Sequence, residues 1–276
     1  MTGTEEKAHI IEEVIEEPGE IIPAQASSST TGNWNPKTNI GKQVKAKVIT
    51  DIDQILDTGK TILEAEIVDH LIPGLENDLL AVGQSKGKFG GGKRRVFRQT
   101  QKKTKEGNKP HFSTLCIVGN KDGYIGLGYG KSKETVPARE KATRDAKLHI
   151  FKIRRGCGSW ECMCGEPHSI PFTVSGKCGS AKITLIPAPK GVGLCVEKEC
   201  AKILAFAGIK DVWSKTSGQT RTTLNLIRAC ESALKDLIKT KIQPHHIERL
   251  SVNEGKLPLK DANNDVQEEN TGTEMN

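Results

Sequence analysis

The sequence predicts an α+β protein of two domains, an N-terminal α-β-β-β-α domain followed by a C-terminal β-β-α-β-α domain. The chain has 276 residues, enough for two domains that each bury their own core. Strand-like and helix-like segments follow one another along residues 34–245 without an internal repeat. A short polar and glycine-rich segment, residues 154–168, lies between the two groups of segments. We therefore expect two separate cores rather than one continuous core.

The two ends of the chain are acidic and the body is basic. Residues 1–33 carry seven Glu and one Lys, and residues 251–276 carry six acids and two Lys. Because the whole chain has a formal charge of +7, removing these ends leaves +17 on residues 34–250. Such a basic body is typical of nucleic-acid-binding proteins. We predict a disordered acidic tail at 1–33 and an acidic C-terminal tail at 246–276.

The N-terminal domain, residues 34–153, is predicted from short segments. DIDQILDTGK predicts a short helix with Asp51 or Asp53 as its cap and Gly59 at its end, and EAEIVDHLI predicts a second short helix or turn. Three strand-like runs follow, KRRVFRQTQKK, HFSTLCIVGN and YIGLGYG. Polar turns separate them, so they predict an antiparallel meander.

A basic helix closes this domain. SKETVPAREKATRDAKLHIFKI permits a helix capped by Ser132 or Thr135, with Pro137 in the first turn. Its apolar positions are mostly alanines at intervals of four residues. Small side chains on that stripe predict close packing of the helix on the sheet.

The C-terminal domain, residues 169–245, begins with two predicted strands joined by a turn at 176–179. EKECAKILAFAG predicts a helix that ends at Gly208, and IKDVWSKTSG predicts another strand. The last element is an amphipathic helix with Thr220 or Thr222 as its cap.

The most basic segment is Gly90–Lys103, GGGKRRVFRQTQKK, which holds six Lys or Arg and no acid. As a strand, it would point Arg95 and Phe97 to one face and Arg94 and Arg98 to the other. One face could then pack while the other binds phosphates.

No apolar run is long enough to span a membrane, so we expect a soluble intracellular protein. Four of the eight cysteines are scattered singly through apolar segments, which favours reduced thiols and a reducing cytosol.

A second phosphate-binding element is predicted at GLGYGKSKETVPAREKA. This run resembles the double-stranded-RNA-binding domain, in which a glycine-rich turn and a Lys-rich helix N-terminus bind phosphates. A Walker-type phosphate loop would need glycine at position 125, where the chain has Ile125, and is therefore disfavoured.

Longer runs in a fixed order carry a more specific resemblance. They are VGNKDGYIGLGYGKSKETVPAREKA, RRGCGSWEC, PHSIPF, GKCGS, LIPAPKGVGL and AGIKDVWSKTSGQTRTT. Over residues 34–245 the chain resembles small-subunit ribosomal protein five, the universal "S five" family, in its archaeal type.

The resemblance implies a double-stranded-RNA-binding-like N-terminal domain and the C-terminal domain characteristic of the family. It also implies a ribosomal, cytoplasmic protein that binds small-subunit rRNA, without catalysis or a small-molecule substrate. Its implied position is the neck of the subunit near the mRNA entry, beside ribosomal proteins four and eight, with an influence on translational accuracy.

Charge and resemblance together give a set of candidate RNA-binding residues, which would contact backbone phosphates without reading sequence. They are Gly90, Gly91, Gly92, Lys93, Arg94, Arg95, Arg98, Lys102, Lys103, Lys131, Ser132, Lys133, Arg139, Arg144, Arg154, Arg155, Lys190 and Arg221.

A cysteine and histidine cluster lies in the segment between the domains. Cys157, Cys162, Cys164 and His168 fall within twelve residues and are candidate ligands of a closed structural Zn²⁺ site. The C-x4-C-x-C-x3-H spacing differs from the usual pair of C-x2-C motifs, and many family members lack these cysteines. The alternative is three reduced thiols in a turn, with His168 as a packing residue or RNA contact.

Two other classes of function remain as alternatives. An RNA-processing or phosphotransfer enzyme should show clustered acids or an activated nucleophile, but the acids of the second half have simpler explanations. Glu161 and Glu166 lie in a glycine-rich turn, and Glu197 and Glu199 lie at a helix start. A free double-stranded-RNA-binding regulator would leave the second domain without a role.

Overall fold

The structure is a computed structural model that describes residues 34–87, 93–162 and 164–256, without the side chain of residue 248. The predicted disordered tail at 1–33, the glycines Gly90, Gly91 and Gly92, and the last twenty residues of the predicted acidic C-terminal tail lie outside the described residues. Within the described ranges, no helix has the length and hydrophobicity needed to cross a lipid bilayer.

The N-terminal domain contains the predicted meander and basic helix, together with elements that the sequence did not reveal. The short helix α1, strand β1 and strand β5 were not predicted. In chain order the elements are α1 (Asn39–Lys45), α2 (Asp53–Asp57), α3 (Ala65–Leu71), β1 (Glu76–Leu80), β2 (Arg98–Thr104), β3 (Gly107–Gly119), β4 (Tyr124–Ser132), α4 (Thr135–Leu148) and β5 (Ile150–Lys152).

Two predicted helix caps in this domain are wrong. Ile52 occupies the N-cap position of α2, and Glu134 occupies that of α4, and neither side chain accepts a capping hydrogen bond. Helix α1, in contrast, is capped by Thr38, whose hydroxyl accepts from the backbone N–H of Gly41 at 3.1 Å. The first turn of α4 contains Pro137, as predicted.

Strand β3 organises the first sheet because it is 13 residues long and pairs along both edges. On one edge β1 pairs with its second half and β2 with its first half, while β4 pairs on the other edge and continues to β5. All of these pairs are antiparallel, so the predicted meander is confirmed. The β2–β3 hairpin, whose residues 98–110 contain no buried position, extends past the rest of the sheet.

Helix α4 packs unusually close to β4 because glycines face alanines. A Cβ atom on Gly128 would lie 2.0 Å from the backbone nitrogen of Ala146, and one on Gly130 would lie 2.0 Å from the carbonyl oxygen of Ala138. The predicted alanine stripe is therefore confirmed. The GLGYG run, however, is part of strand β4 rather than a turn, and its alternate glycines serve helix packing instead of close approach to phosphates.

The C-terminal domain has the predicted β-β-α-β-α order with one additional short strand. Its elements are β7 (Val174–Cys178), β8 (Ala181–Pro187), β9 (Leu194–Cys195), α5 (Lys198–Phe206), β10 (Val212–Ser217) and α6 (Thr223–Lys239), and the sheet order is β7-β8-β10-β9.

Two local predictions in this domain differ from the structure. The first turn lies at Gly179 and Ser180, because Gly176 is inside β7, where its missing Cβ makes room for the carbonyl oxygen of Ala229 on α6. The predicted cap of α6 is right in position, since Thr222 is the N-cap residue, but wrong in its contact, because the Thr222 hydroxyl donates to the carbonyl oxygen of Gln219 and makes no capping hydrogen bond.

One hydrophobic core is shared by the two domains, whereas a second core around α1, α2 and α3 belongs to the N-terminal domain alone, so the expectation of separate cores is only partly correct. Leu115 and Ile117 on β3 belong to the same buried cluster as Ile203 on α5 and Ile227 on α6. Side chains alternate along a strand, so the intervening residues of β3 face α4 instead. Each face of the first sheet is thus covered, one by its own helix and one by the second domain.

The segment after the first domain is folded and pairs with the C-terminal residues. Strand β6 (Arg154–Arg155) pairs with β11 (Asn253–Glu254), which follows helix α7 (Pro244–Arg249). The described part of the predicted acidic tail therefore returns to the junction between the domains.

Candidate nucleic-acid interface and metal centre

The basic segment at Lys93–Arg95 pairs with residues 83–86 instead of entering strand β2 directly. The backbone N–H of Arg95 donates to the carbonyl oxygen of Gln84 at 2.9 Å, and that of Lys86 donates to the carbonyl oxygen of Lys93 at 2.9 Å. The chain then bends at residues 96–97 before β2 begins at Arg98. The predicted single strand is wrong in its first half, and the predicted alternation of faces does not apply there.

Gly83 is required for this pairing. A Cβ atom at Gly83 would lie 2.4 Å from the carbonyl oxygen of Phe97 and 2.6 Å from that of Arg95. Both contacts are with backbone, so a side chain would displace the basic segment. Gly83 was not predicted, because only the glycines that directly precede the basic residues were considered.

Arg94 joins the basic segment to the second domain. Its guanidinium donates to the carbonyl oxygen of Arg221 at 3.1 Å and to the hydroxyl of Thr223 at 3.3 Å. Arg94 and Arg221 are 127 residues apart in sequence, and both remain exposed. The structure thus brings together two of the predicted RNA-binding residues at the start of α6.

The β2–β3 hairpin is a basic arm. Residues 98–110 contain five Lys or Arg and one acid. Lys102 lies directly opposite Lys109 in the strand register, an unfavourable placement of like charges. Lys109 also forms an ion pair of 2.7 Å with Glu106. A two-stranded arm without a buried face is only marginally stable on its own. We therefore do not attribute its many charges to stabilisation of the fold.

Most of the other predicted residues are at the surface. Ser132 is half-buried at the end of β4. Exposed residues of the predicted set are Lys93, Arg94, Arg95, Arg98, Lys102, Lys103, Lys131, Lys133, Arg139, Arg144, Lys190 and Arg221. Their contact with RNA stays a prediction.

Arg155 is buried, so its assignment as an RNA contact is wrong, whereas contact of the half-buried Arg154 with RNA stays a prediction. Arg155 is 2% exposed, and its guanidinium donates to Asp122 at 2.7 Å and to the carbonyl oxygen of Gly255 at 2.9 Å. Arg154 forms an ion pair with Glu254 and donates to the carbonyl oxygens of residues 237 and 240. These two arginines fasten the C-terminal segment to the junction between the domains.

The four predicted metal ligands converge in space. Cys157, Cys162, Cys164 and His168 each offer one ligand atom, and these atoms all lie within 4.8 Å of one another. The Sγ atoms of Cys157 and Cys164 are 3.7 Å apart, and Cys162 Sγ lies 3.7 Å from Nε2 of His168. All eight cysteines are free thiols.

A buried carboxylate orients the histidine. Nδ1 of His168 lies 2.8 Å from Oδ2 of Asp211, and both side chains are buried. Oδ1 of Asp211 accepts from the backbone N–H groups of Gly191 and Gly193 at 3.1 and 2.8 Å. Sequence reasoning missed Asp211, although a single acid inside the apolar run AGIKDVW was a usable signal.

The thiols of the cluster have different acidities. Hydrogen bonds from the backbone of Lys190 and of Cys164 lower the pKa of Cys162 to about 6. Burial, followed by the neighbouring thiols, raises the pKa of Cys157 to about 12. The residues fit a thiolate-binding cation, because its charge would stabilise the deprotonated form of every sulfur.

The fold therefore belongs to the class of basic, two-domain α+β proteins with an exposed charged arm. Two family descriptions match it, "Ribosomal protein S5, N-terminal domain" over residues 93–154 and "Ribosomal protein S5, C-terminal domain" over residues 176–243.

Curated relatives match over most of their length. The small ribosomal subunit proteins uS5 of Nanoarchaeum equitans and Methanocaldococcus jannaschii are each 48% identical over 224 residues, which is 81% of this chain and 96% of those proteins. That of Methanothermobacter thermautotrophicus is 47% identical over 219 residues, 79% of this chain and 94% of that protein. The chain belongs to the ribosomal protein S5 family, in its archaeal type. The predicted family and the two-domain α+β fold are thus confirmed.

Proposed function

We propose that this protein is a non-catalytic structural constituent of the small ribosomal subunit that binds rRNA through its basic arm and the neighbouring basic segment. Membership of a family of ribosomal proteins supports the structural role and the location on cytoplasmic ribosomes. The exposed β2–β3 arm is the observation that carries the proposed contact with RNA.

The arm is suited to folded RNA rather than to unpaired bases. Most of its side chains outside the turn are Arg, Lys, Gln, Thr and Asn, which donate hydrogen bonds to phosphates, and the Arg and Lys among them add positive charge. Aromatic rings that would stack on bases are absent from residues 98–110. Recognition by shape and backbone charge therefore fits this surface best.

The finer location is also part of the proposal. The family resemblance supports a position near the mRNA entry and the neck, beside ribosomal proteins four and eight, with an effect on translational accuracy. Within the chain, Arg94 holds the basic segment against the start of α6, so the arm is anchored at its base.

The salt dependence of rRNA binding tests the proposed contact. The double variant Lys102→Ala/Lys103→Ala removes two charges from the arm. Its slope of log affinity against log salt should fall by about 1.4–1.8, because each phosphate contact contributes about 0.7–0.9. Filter binding to small-subunit rRNA over a range of KCl concentrations measures this slope.

The matched control is Lys177→Ala/Lys182→Ala, which removes two exposed lysines that face each other on β7 and β8. The control should keep the slope of the unmodified protein. Equal losses in both double variants would mean that only the overall charge matters. Failure of the unmodified protein to sediment with small subunits at low and moderate salt would contradict the structural role itself.

A further inference from the structure

We propose that Cys157, Cys162, Cys164 and His168 bind one Zn²⁺ as a closed structural site, and that Asp211 connects this site to the loop that carries Lys190. The metal site is independent of the proposed function. The expected effect of this site on RNA binding, through Lys190, rests on the proposed function.

The distances in the cluster are those of a tetrahedral zinc site. With Zn–S of about 2.3 Å and Zn–N of about 2.0–2.1 Å, neighbouring ligand atoms of a tetrahedron lie about 3.5–3.8 Å apart. Two of the pairs, Cys157 with Cys164 and Cys162 with His168, are each 3.7 Å apart. Since all four ligand atoms lie within 4.8 Å of one another, only small movements would complete the tetrahedron.

The backbone around the ligands is held independently of any ion. The N–H of Cys157 donates to the carbonyl oxygen of Leu250 at 2.8 Å, in the returning C-terminal segment. Gly158 packs so closely that a Cβ atom would lie 2.1 Å from the carbonyl oxygen of Pro171, and Gly165 has a φ of 67° that favours glycine. The unusual ligand spacing is thus accommodated by glycine turns that the fold fixes.

Asp211 sets the tautomer that a metal needs. A carboxylate beside Nδ1 of His168 places the ring proton on Nδ1 and leaves the Nε2 lone pair directed at Cys162. Carboxylate–histidine pairs of this kind are the usual outer support of zinc sites. Asp211 is therefore a positioning residue.

The same carboxylate holds the loop at residues 190–193. Gly191 and Gly193 donate to Oδ1 of Asp211, and Lys190 forms an ion pair of 2.8 Å with Glu166, which lies between two of the ligands. The metal would thus fix the loop both through Asp211 and through the ligand segment. Lys190, one of the predicted RNA contacts, would be held in one place.

Zinc content is the direct test. Full-length protein expressed with zinc and purified under reducing conditions without chelators should contain about one zinc ion per chain by mass spectrometry. Cys162→Ser and Cys164→Ser should lose it, whereas Cys195→Ser, an exposed cysteine outside the cluster, should retain it. Less than about a tenth of an ion per chain, or a disulfide between Cys157 and Cys164 in the purified protein, would overturn the metal site.

Two further measurements apply if the cysteine variants do not fold. Co²⁺ titration of the unmodified protein should give the absorption bands of a tetrahedral thiolate site. Asp211→Asn should weaken metal affinity about 10–100-fold, because an amide NH₂ facing Nδ1 would favour the wrong tautomer. Asp211→Glu should recover part of that loss. Octahedral cobalt spectra would refute the tetrahedral thiolate site. Unchanged metal affinity of Asp211→Asn would refute the role of Asp211 as a positioning residue.

Metal and RNA readouts separate the two proposals. Zinc removal and Lys190→Ala should each lower the salt slope of rRNA binding by about 0.7–0.9, the value for one phosphate contact, and Lys190→Ala should retain zinc. A protein that holds zinc but does not bind rRNA would refute the proposed function alone. A protein that binds rRNA equally with and without zinc would refute the connection to Lys190.

Discussion

Two Arg-Arg pairs in this chain look alike in sequence and have opposite fates in the structure. Arg94 and Arg95 are exposed beside a basic arm, whereas Arg155 is buried and Arg154 is bound to the C-terminal segment. In the sequence, both pairs lie next to glycines, Gly90–Gly92 before Lys93 and Gly156 after Arg155. Arg94 and Arg95 lie against residues 83–86 and the start of α6, where both side chains stay exposed. Arg155, in contrast, is enclosed together with Asp122 and the carbonyl oxygen of Gly255.

The comparison shows that a count of basic residues measures charge, not contact. The +17 of the chain body includes cations that neutralise the protein's own carboxylates, as Arg155 does for Asp122. A basic residue contributes to binding only when its head group reaches solvent. Mutations at the two pairs should therefore separate folding from binding.

The largest expected effect is that of Arg155→Ala. The substitution leaves the carbonyl oxygen of Gly255 without this donor and removes the buried cation beside the half-buried Asp122. We expect a loss of about 3 kcal/mol in the free energy of unfolding, at the lower end of what breaking a buried ion pair costs, because Asp122 keeps some contact with solvent. Urea unfolding of the variant and of Arg95→Ala measures the difference, and Arg95→Ala should stay within about 0.5 kcal/mol of the unmodified protein. Equal stability of the two variants would contradict the distinction between a structural Arg155 and an exposed Arg95.

An intermediate effect is expected for Gly128→Ala. Like the arginine pairs, the glycines of GLGYG were predicted to bind phosphates, but in the structure they serve packing of α4. The new methyl group would lie 2.0 Å from the backbone of Ala146, so helix α4 must move. We expect a loss of about 1–3 kcal/mol by overpacking and unchanged rRNA affinity of the folded fraction. Lys131→Ala, three residues further along β4, should instead weaken rRNA binding and leave stability unchanged. Weaker RNA binding with full stability in Gly128→Ala would support the predicted phosphate-binding role of these glycines.

The smallest effect concerns the exposed pair. Arg95→Ala should lower the salt slope of rRNA binding by about 0.7–0.9 with little change in stability. Arg94→Ala should do the same and also loosen the contact with α6, because Arg94 donates to Arg221 and Thr223. The slope comes from binding at several salt concentrations. An unchanged slope in both variants would remove this segment from the RNA interface.

Part of the fold was predictable from local signals. The polar turn at Asn120–Gly123 separates two apolar runs, and the alanines of α4 recur every four residues, so the meander and its covering helix could be predicted. The short β1 could not, because ENDLL has no clear alternation and becomes a strand only by pairing with β3. The caps of α2 and α4 were mispredicted because each N-cap position, Ile52 and Glu134, falls between the two residues that the sequence offered as caps.

The sequence by itself determined the class of protein, the order of its main elements and which four residues form the Cys/His cluster. These features depend on charge, periodicity and residue type, which are local. Only the tertiary structure decided which cations face solvent, that both domains share one core, and that Asp211 meets His168. Those outcomes join residues far apart in the chain, such as His168 and Asp211 at 43 positions and Arg155 and Asp122 at 33, because a folded chain satisfies buried charges and apolar faces with whatever partner the packing brings near.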